Sequence, residues 1–470
     1  MAETRTPDDD PLFWSIEKLR KAYQARELSP VEVWDLARRR ADAFGAAMNI
    51  YVTRLDDLGL EQARAAEAAF RAGTPPPLCG IPVSIKDAFE VRGYPTTFGS
   101  LKYRDYVSAR DSASVARLRE AGAVLTGKTN TSEFGQSATT DNLLGPDTTN
   151  AWNVRCTAGG SSGGAASSVA AGLATVALGS DGGGSIRIPA AFSGLFGIKP
   201  TFGLVQEPES IVKAMSDFVC PGPLSRHVDD ARRMLAVLSG TPMKRGKSSR
   251  RLRIAWCAAP EDRPVAPAVQ KVCSEALKEI VKAGFEAREF EPPISDWQKI
   301  FGPLVLQEEF RERGRYLDGD VSEITDYELA SLRAAAQVAP GDVADARERL
   351  GEFRQRFDRF FEEVDVLLTP TNAVGAFEIG QRPVEISGRS VSALWGAFPF
   401  TAAYNVAGVP AASIPCGLAD GMPAGLQVVM GRGRDAILLD FCELLERIFA
   451  FDQSPMRDAW RLPLRSGALA

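Results

Sequence analysis

Histidine is almost absent: the 470 residues include one, His227. A serine nucleophile that relies on histidine as its base needs that histidine in a fixed place. His227 follows Arg226 at an expected helix start, a position that suits a surface or capping residue. Cysteine is sparse as well. The seven, Cys79, Cys156, Cys220, Cys257, Cys273, Cys416 and Cys442, are scattered, odd in number and form no C-x-x-C. That spacing excludes a disulfide framework or a cysteine zinc site and fits reduced thiols in a cytoplasmic protein. No run approaches the roughly 18 apolar residues of a membrane span. The small-residue stretch 163–179 is interrupted by serines and glycines, and a buried helix plus strand explains it better. Residues 1–10 are acidic and polar, without the basic and apolar regions of a signal peptide. Positive charge is not in excess either, with 55 Lys and Arg against 60 Asp and Glu and a net charge of −5. That balance argues against nucleic acid as a partner.

What is present is an alternation of helical and strand-like segments. Ser29-Pro30-Val31-Glu32 reads as a capped helix start, with Ser as cap, Pro in the first turn and Glu completing a capping box. A further helix is expected over 57–72, and Pro75-Pro76-Pro77 breaks the chain after it. Residues 81–87 read as a short strand carrying Lys86 near its end. Helix is expected over 112–121, strand over 123–126, helix over 164–173 and strand over 174–178. Beyond these come helix 228–238, strand 251–257, helix 265–282 and strand 286–291. Residues 296–363 read as mostly helical and end in the strand 365–370. Strands near 411–415 and 425–430 precede an amphipathic helix with Ile437, Leu438, Phe441, Leu444, Leu445 and Ile448 on one face. The alternation predicts an α/β fold, helices covering both faces of a largely internal sheet. Residues 1–75 are expected to form a helical arm packed on a catalytic domain of 76–470. The basic run 244–253 reads as a solvated linker.

Two motif matches fail on their surroundings. Gly122 to Thr129 fits the phosphate-binding pattern G-x-x-x-x-G-K-[ST], which requires a strand before the first glycine and a helix at the lysine. Here a helix precedes Gly122, and strand-like residues lie inside the supposed loop. Gly159-Gly160-Ser161-Ser162-Gly163 fits the nucleophile elbow G-x-S-x-G, but residues 153–158 make a poor strand and no suitable histidine follows.

The same glycine run has a second partner downstream. In Asp181-Gly182-Gly183-Gly184-Ser185-Ile186-Arg187, a serine follows three glycines at the end of an expected strand. Successive N–H groups of Gly182, Gly183, Gly184 and Ser185 can converge on one point and stabilise an oxyanion. Taken alone, the loop also fits a tight turn closed by a capping serine. If serine chemistry occurs, its base is not histidine, and lysine is the candidate.

Read together, the segments Cys79 to Asp87, Gly127 to Phe134, the loops 159–164 and 181–189, Gly197 to Thr201, Gly222 to Arg226, Asp365 to Thr371 and Asn405 to Ala411 resemble the amidase signature family. The resemblance covers nearly the whole chain. It implies that family's fold, a central mixed twisted β-sheet covered by helices on both faces. It implies a lysine at Lys86, a bridging serine held by a cis peptide at Ser161 and a nucleophile at Ser185. The implied oxyanion hole is the amides of Gly182, Gly183, Gly184 and Ser185. Gly160, Ser162, Asp181 and Arg187 would support the site, with Asp181 and Arg187 paired. Position 182 is Gly where many members carry a larger residue, and Ala158 stands where Pro is common.

The resemblance implies hydrolysis of the C–N bond of small amides through an acyl-enzyme, with no metal or organic cofactor. Segments 202–218 and 395–400 fall where members line their pockets. Ile211, Val212, Met215, Trp395, Phe398 and Phe400 would make that lining apolar, pointing to hydrophobic or aryl amides, although each also fits plain core. Carbamates (a urethanase) and esters present a similar carbonyl. The alternative of a glutaminase subunit of a tRNA-dependent amidotransferase needs partner subunits. The expected partner is a small-molecule substrate, for a monomer or homodimer without membrane attachment.

Overall fold

The computed structural model describes residues 10–207, 215–246 and 252–460. Eleven strands form one mixed sheet. In chain order they are β1 (Tyr51–Arg54), β2 (Pro82–Lys86), β3 (Val124–Thr129), β4 (Val176–Asp181), β5 (Phe196–Lys199), β6 (Cys220–Ser225), β7 (Ile254–Trp256), β8 (Ala287–Glu289) and β9 (Val366–Pro370). A separate two-residue hairpin, β10 (Glu385–Ile386) and β11 (Arg389–Ser390), follows. The sheet is completed by β12 (Ala411–Ala419) and β13 (Met422–Met430), in the spatial order β1-β3-β2-β4-β6-β5-β12-β13-β9-β7-β8. The run β3-β2-β4 is parallel, the middle from β4 to β9 is antiparallel, and β9-β7-β8 is parallel again. The α/β class and the mixed central sheet are therefore as expected.

The strands β2, β3 and β13 are buried along their whole length. That burial on both faces suits the mostly apolar β13, whereas β2 and β3 also bury polar side chains, Ser84, Lys86, Thr126 and Lys128 among them. The main apolar cluster runs from Leu12, Ile16 and Leu19 near the N-terminus through Val83, Ile85, Leu178 and Ile198 to Leu426, Leu438 and Leu445. The N-terminal helices share this core. The segment before residue 75 also contributes β1, which pairs antiparallel with β3 at the sheet edge, so that stretch is not purely helical. The helix Pro30–Met48 begins with the expected capping box, Ser29 and Glu32 each closing the other's backbone N–H.

Five strands escape the sequence reading: β1, β5, β6 and the hairpin β10–β11. The strand β6 is Cys-Pro-Gly-Pro-Leu-Ser, whose prolines signal a turn. It nevertheless lies between β4 and β5, fully buried. The strand β5 is only four residues long and follows a turn.

The false phosphate loop resolves as expected. The strand β3 occupies its middle, and Lys128 is buried in it, 2.6 Å from the Asp87 carboxylate. Within the segment 296–363, the helices are Trp297–Arg313, Asp326–Ala335 and Pro340–Glu363. A second apolar cluster, including Leu304, Phe353, Phe357 and Tyr404, holds this segment against the sheet. No helix among the described residues is long and apolar enough to cross a membrane.

Candidate active site

The sheet sets the first part of the geometry. Strands β2 and β4 run parallel as neighbours, so their C-terminal ends reach the same edge. β2 ends in Lys86, and β4 ends in Ser180 and Asp181. The helix Gly163–Ala170 covers these two strands, and Ser161 and Ser162 lead into it. Close backbone approach explains two of the glycines. A Cβ at Gly160 would lie 2.5 Å from Thr139 backbone atoms, and one at Gly164 would lie 2.6 Å from the Asn130 carbonyl. The Gly160–Ser161 peptide is cis.

Lys86 is buried. Its Nζ donates to Ser161 Oγ at 2.6 Å and to Ser180 Oγ at 2.9 Å, with Ser180 O at 3.5 Å. Burial lowers its pKa to about 7, against the opposing pull of the nearby Asp181 carboxylate. An ammonium is therefore poorly held there, and the neutral amine is accessible near neutral pH. Ser180 was not anticipated as a partner of Lys86. The signal was available, because Ser180 ends the strand parallel to the one that carries the lysine.

The loop after β4 is organised by Asp181 and Arg187, both fully buried. Arg187 donates to Asp181 through Nε and one terminal nitrogen, each at 2.9 Å. It also reaches Thr401 O, Gln427 Oε1 and Asn405 Oδ1 at 3.0, 2.8 and 2.5 Å. Burial alone would raise the Asp181 carboxyl, but Arg187 and the Asn405 amide hold it well below the ordinary carboxylate range. The carboxylate accepts the Gly184 N–H at 2.7 Å and the Ile186 N–H at 3.2 Å. The expected set of four convergent amides is thus reduced. Gly184 N–H is committed to Asp181, and the amides of Gly182, Gly183 and Ser185 make no hydrogen bond among the described residues. Ser162 N–H donates to Ser185 O at 3.2 Å, which ties the two glycine loops together.

Ser185 is half-buried and stands where two cavities meet. The first, about 570 Å³, is lined by Lys86, Ser161, Ser180 and Gly182. Further out its wall carries Glu207, Glu308 and Arg311. The second, about 590 Å³, is lined mainly by apolar groups, among them Ile188, Trp297, Phe301, Trp395 and Phe398. Gly135, Ser185 and Met215 border both. A Cβ at Gly182 would overlap Met215 Sδ, so the small residue there gives Met215 its room.

Among the six pocket residues expected from sequence, Met215, Trp395 and Phe398 line this cavity system. Phe400 does not; it is 1% exposed and packs in the main core. Ile211 and Val212 lie outside the described residues. Trp297 and Phe301 were missed, since a long helical segment gives no sign from sequence of which side faces a distant loop. His227 stands at the N-cap position of the helix Val228–Ser239, without a side-chain capping bond, beside Glu446, and lines neither cavity.

The amidase family model matches residues 32–439. The chain belongs to the amidase signature family. It is an amidase-family hydrolase acting on C–N bonds. It is 34% identical over 453 residues to an acylamidase of Rhodococcus erythropolis, covering 91% of this chain and 94% of that one. It is 32% identical over 483 residues to a glutamyl-tRNA(Gln) amidotransferase subunit of Carboxydothermus hydrogenoformans, covering 94% of this chain and 98% of that one. Among solved structures, a bacterial aryl acylamidase of the amidase signature family superposes with a TM-score of 0.85 at 26% identity, covering 96% of this chain and 98% of that one.

Proposed function

We propose that this amidase-family hydrolase cleaves small amides with an apolar or aryl group, using Ser185 as nucleophile, Ser161 as bridge and Lys86 as base. The observation that carries this reading is the 2.6 Å contact from Lys86 Nζ to Ser161 Oγ, buried in a cavity that Ser185 also faces.

Neutral Lys86 takes the proton of Ser161 as Ser161 takes that of Ser185. Ser185 Oγ bonds to the carbonyl carbon, and the carbonyl oxygen becomes an oxyanion facing the free amides of Gly182, Gly183 and Ser185. A donor of this kind is worth about 3–4 kcal/mol in the transition state. The proton then returns through Ser161 to the amide nitrogen, the C–N bond breaks and the amine leaves. Water, deprotonated by the same relay, attacks the acyl-enzyme. Its hydroxyl stays on the acid, and its proton returns to Ser185. Carbamates and esters offer the same carbonyl and belong to the same reading. Glutamine carries both charges of its amino-acid end on the acyl side, which the aromatic cavity beside Ser185 suits poorly. That favours a free-standing amidase over an amidotransferase subunit.

Hydrolysis of matched aryl amide, carbamate and ester substrates by wild type, Ser185→Ala and Lys86→Ala tests the assignment. Both variants are expected to lose roughly a thousandfold or more in kcat, as when a group acting in a catalytic unit is removed. Wild-type turnover in Ser185→Ala would refute it. The wild-type ranking of the three substrates separates amidase from urethanase and esterase.

A further inference from the structure

Building on that triad, we infer that the two cavities divide the substrate unequally: the aromatic group sits on the carbonyl side of the scissile bond and a polar substituent on the nitrogen side. The leaving nitrogen must receive a proton from a donor within hydrogen-bond reach. Lys86, Ser161 and Ser180 all line the first cavity, and none lines the second. The amine therefore departs into the first cavity. The acyl group bonded to Ser185 Oγ is left with the second, whose wall near Ser185 is Gly183, Ile188 and Ala402.

The linings then differ in chemistry. Trp297, Phe301, Trp395 and Phe398 surround the second cavity with aromatic rings. Its two arginines, Arg263 and Arg389, are about half exposed and paired with Glu261 and Asp262 at the surface, so they mark the mouth. At about 590 Å³ it lies within the usual range for a small-molecule site. The first cavity contains aromatic wall too, but it also carries Gln206, Glu207, Ser216, Glu308 and Arg311. Glu308 accepts the Ser216 N–H at 3.0 Å and keeps Arg311 at 3.9 Å. Glu207 accepts the Ala113 and Ser114 N–H groups at 2.6 and 2.9 Å and Arg311 is 69% exposed, so these groups keep their partners and form a polar rim, where a substituent that forms hydrogen bonds is better accommodated than a bare hydrocarbon. The preferred class is thus an arylalkanoyl amide of a polar amine, not the acyl derivative of an aromatic amine.

Two isomers with the amide reversed test this, because they share every atom count and the same phenyl and hydroxyl groups: N-(2-hydroxyethyl)-4-phenylbutanamide and N-(4-phenylbutyl)-2-hydroxyacetamide. The first is expected to have at least a tenfold higher kcat/KM in wild type. Phe301→Ser should collapse that ratio by raising KM for the first isomer. Equal or faster cleavage of the second isomer overturns the orientation and leaves the triad intact. So does failure of both while 4-nitrophenyl acetate still acylates Ser185. If instead hydrolysis of that ester is unchanged in Ser185→Ala, the triad itself fails.

Discussion

In the proposed triad, Lys86 has the decisive charge. A buried amine with a pKa near 7 gains its base form as pH rises through that value, so kcat/KM should climb through about pH 7 in a pH–rate profile. Lys86→Arg, which stays charged, should show no such limb and almost no activity. Asp181 raises the Lys86 pKa. Asp181→Asn removes that pull, so whatever activity survives should have its ascending limb displaced to lower pH. A limb that stays near 7 would show that another group controls the rate. The same shift has a consequence for stability. The folded pKa lies below the unfolded value of about 10.4, so the unfolded chain binds more protons between the two. The cost of burying Lys86 is full below about 7 and fades as pH rises toward 10. Lys86→Met should therefore compare best with wild type near pH 6–7, with its advantage shrinking toward about pH 10. Denaturant midpoints at the two ends measure the difference.

The loop that follows β4 owes its shape to one ion pair. Arg187 joins Asp181 to Thr401, Asn405 and Gln427, groups that come from the far half of the chain. Arg187→Met would leave the Asp181 carboxylate buried without its counter-charge, at a cost of about 3–5 kcal/mol. The variant is expected to melt well below wild type and to lose kcat, because the amides of Gly182, Gly183 and Ser185 hang from the same loop. An unchanged melting temperature would contradict that role. Gly182 acts through shape. Gly182→Thr would displace the flexible end of Met215, which borders both cavities. The expected result is a higher KM for bulky substrates with kcat less affected.

At the scale of the whole molecule, the helical segment after residue 296 is clamped to the site by buried charge. Arg313 donates to Glu328 at 2.8 Å and stands 3.8 Å from Glu309, with its guanidinium 4.4 Å over the Phe134 ring. Phe134 lines the first cavity. Beside it, buried Glu133 accepts from Ser100 Oγ at 2.6 Å and from Thr325 N–H at 2.8 Å. Arg313→Met would strand two buried carboxyls near one another. It should lower the melting temperature and loosen the walls of both cavities together, visible as a parallel rise in KM for substrates differing in either half. The expected loss of stability is again about 3–5 kcal/mol. A variant as stable as wild type would place the clamp elsewhere.

The sequence alone determined what depends on local chemistry. Glycine is required where backbone approaches backbone, so the two loops that carry Ser161 and Ser185 stand out in a chain with a single histidine. Lys86 is legible because a short apolar strand delivers it, and the helices are legible because their caps and periodicity are local. Pairing is not local. The strands β5 and β6 are short or proline-rich, and they form only because β12 and β4 offer edges from distant parts of the chain. Tertiary structure also decided that Ser180 meets Lys86, and that Trp297 and Phe301 face the site while Phe400 joins the core. Each of these depends on which face of an element is turned inward, and that is set by packing between segments far apart in sequence.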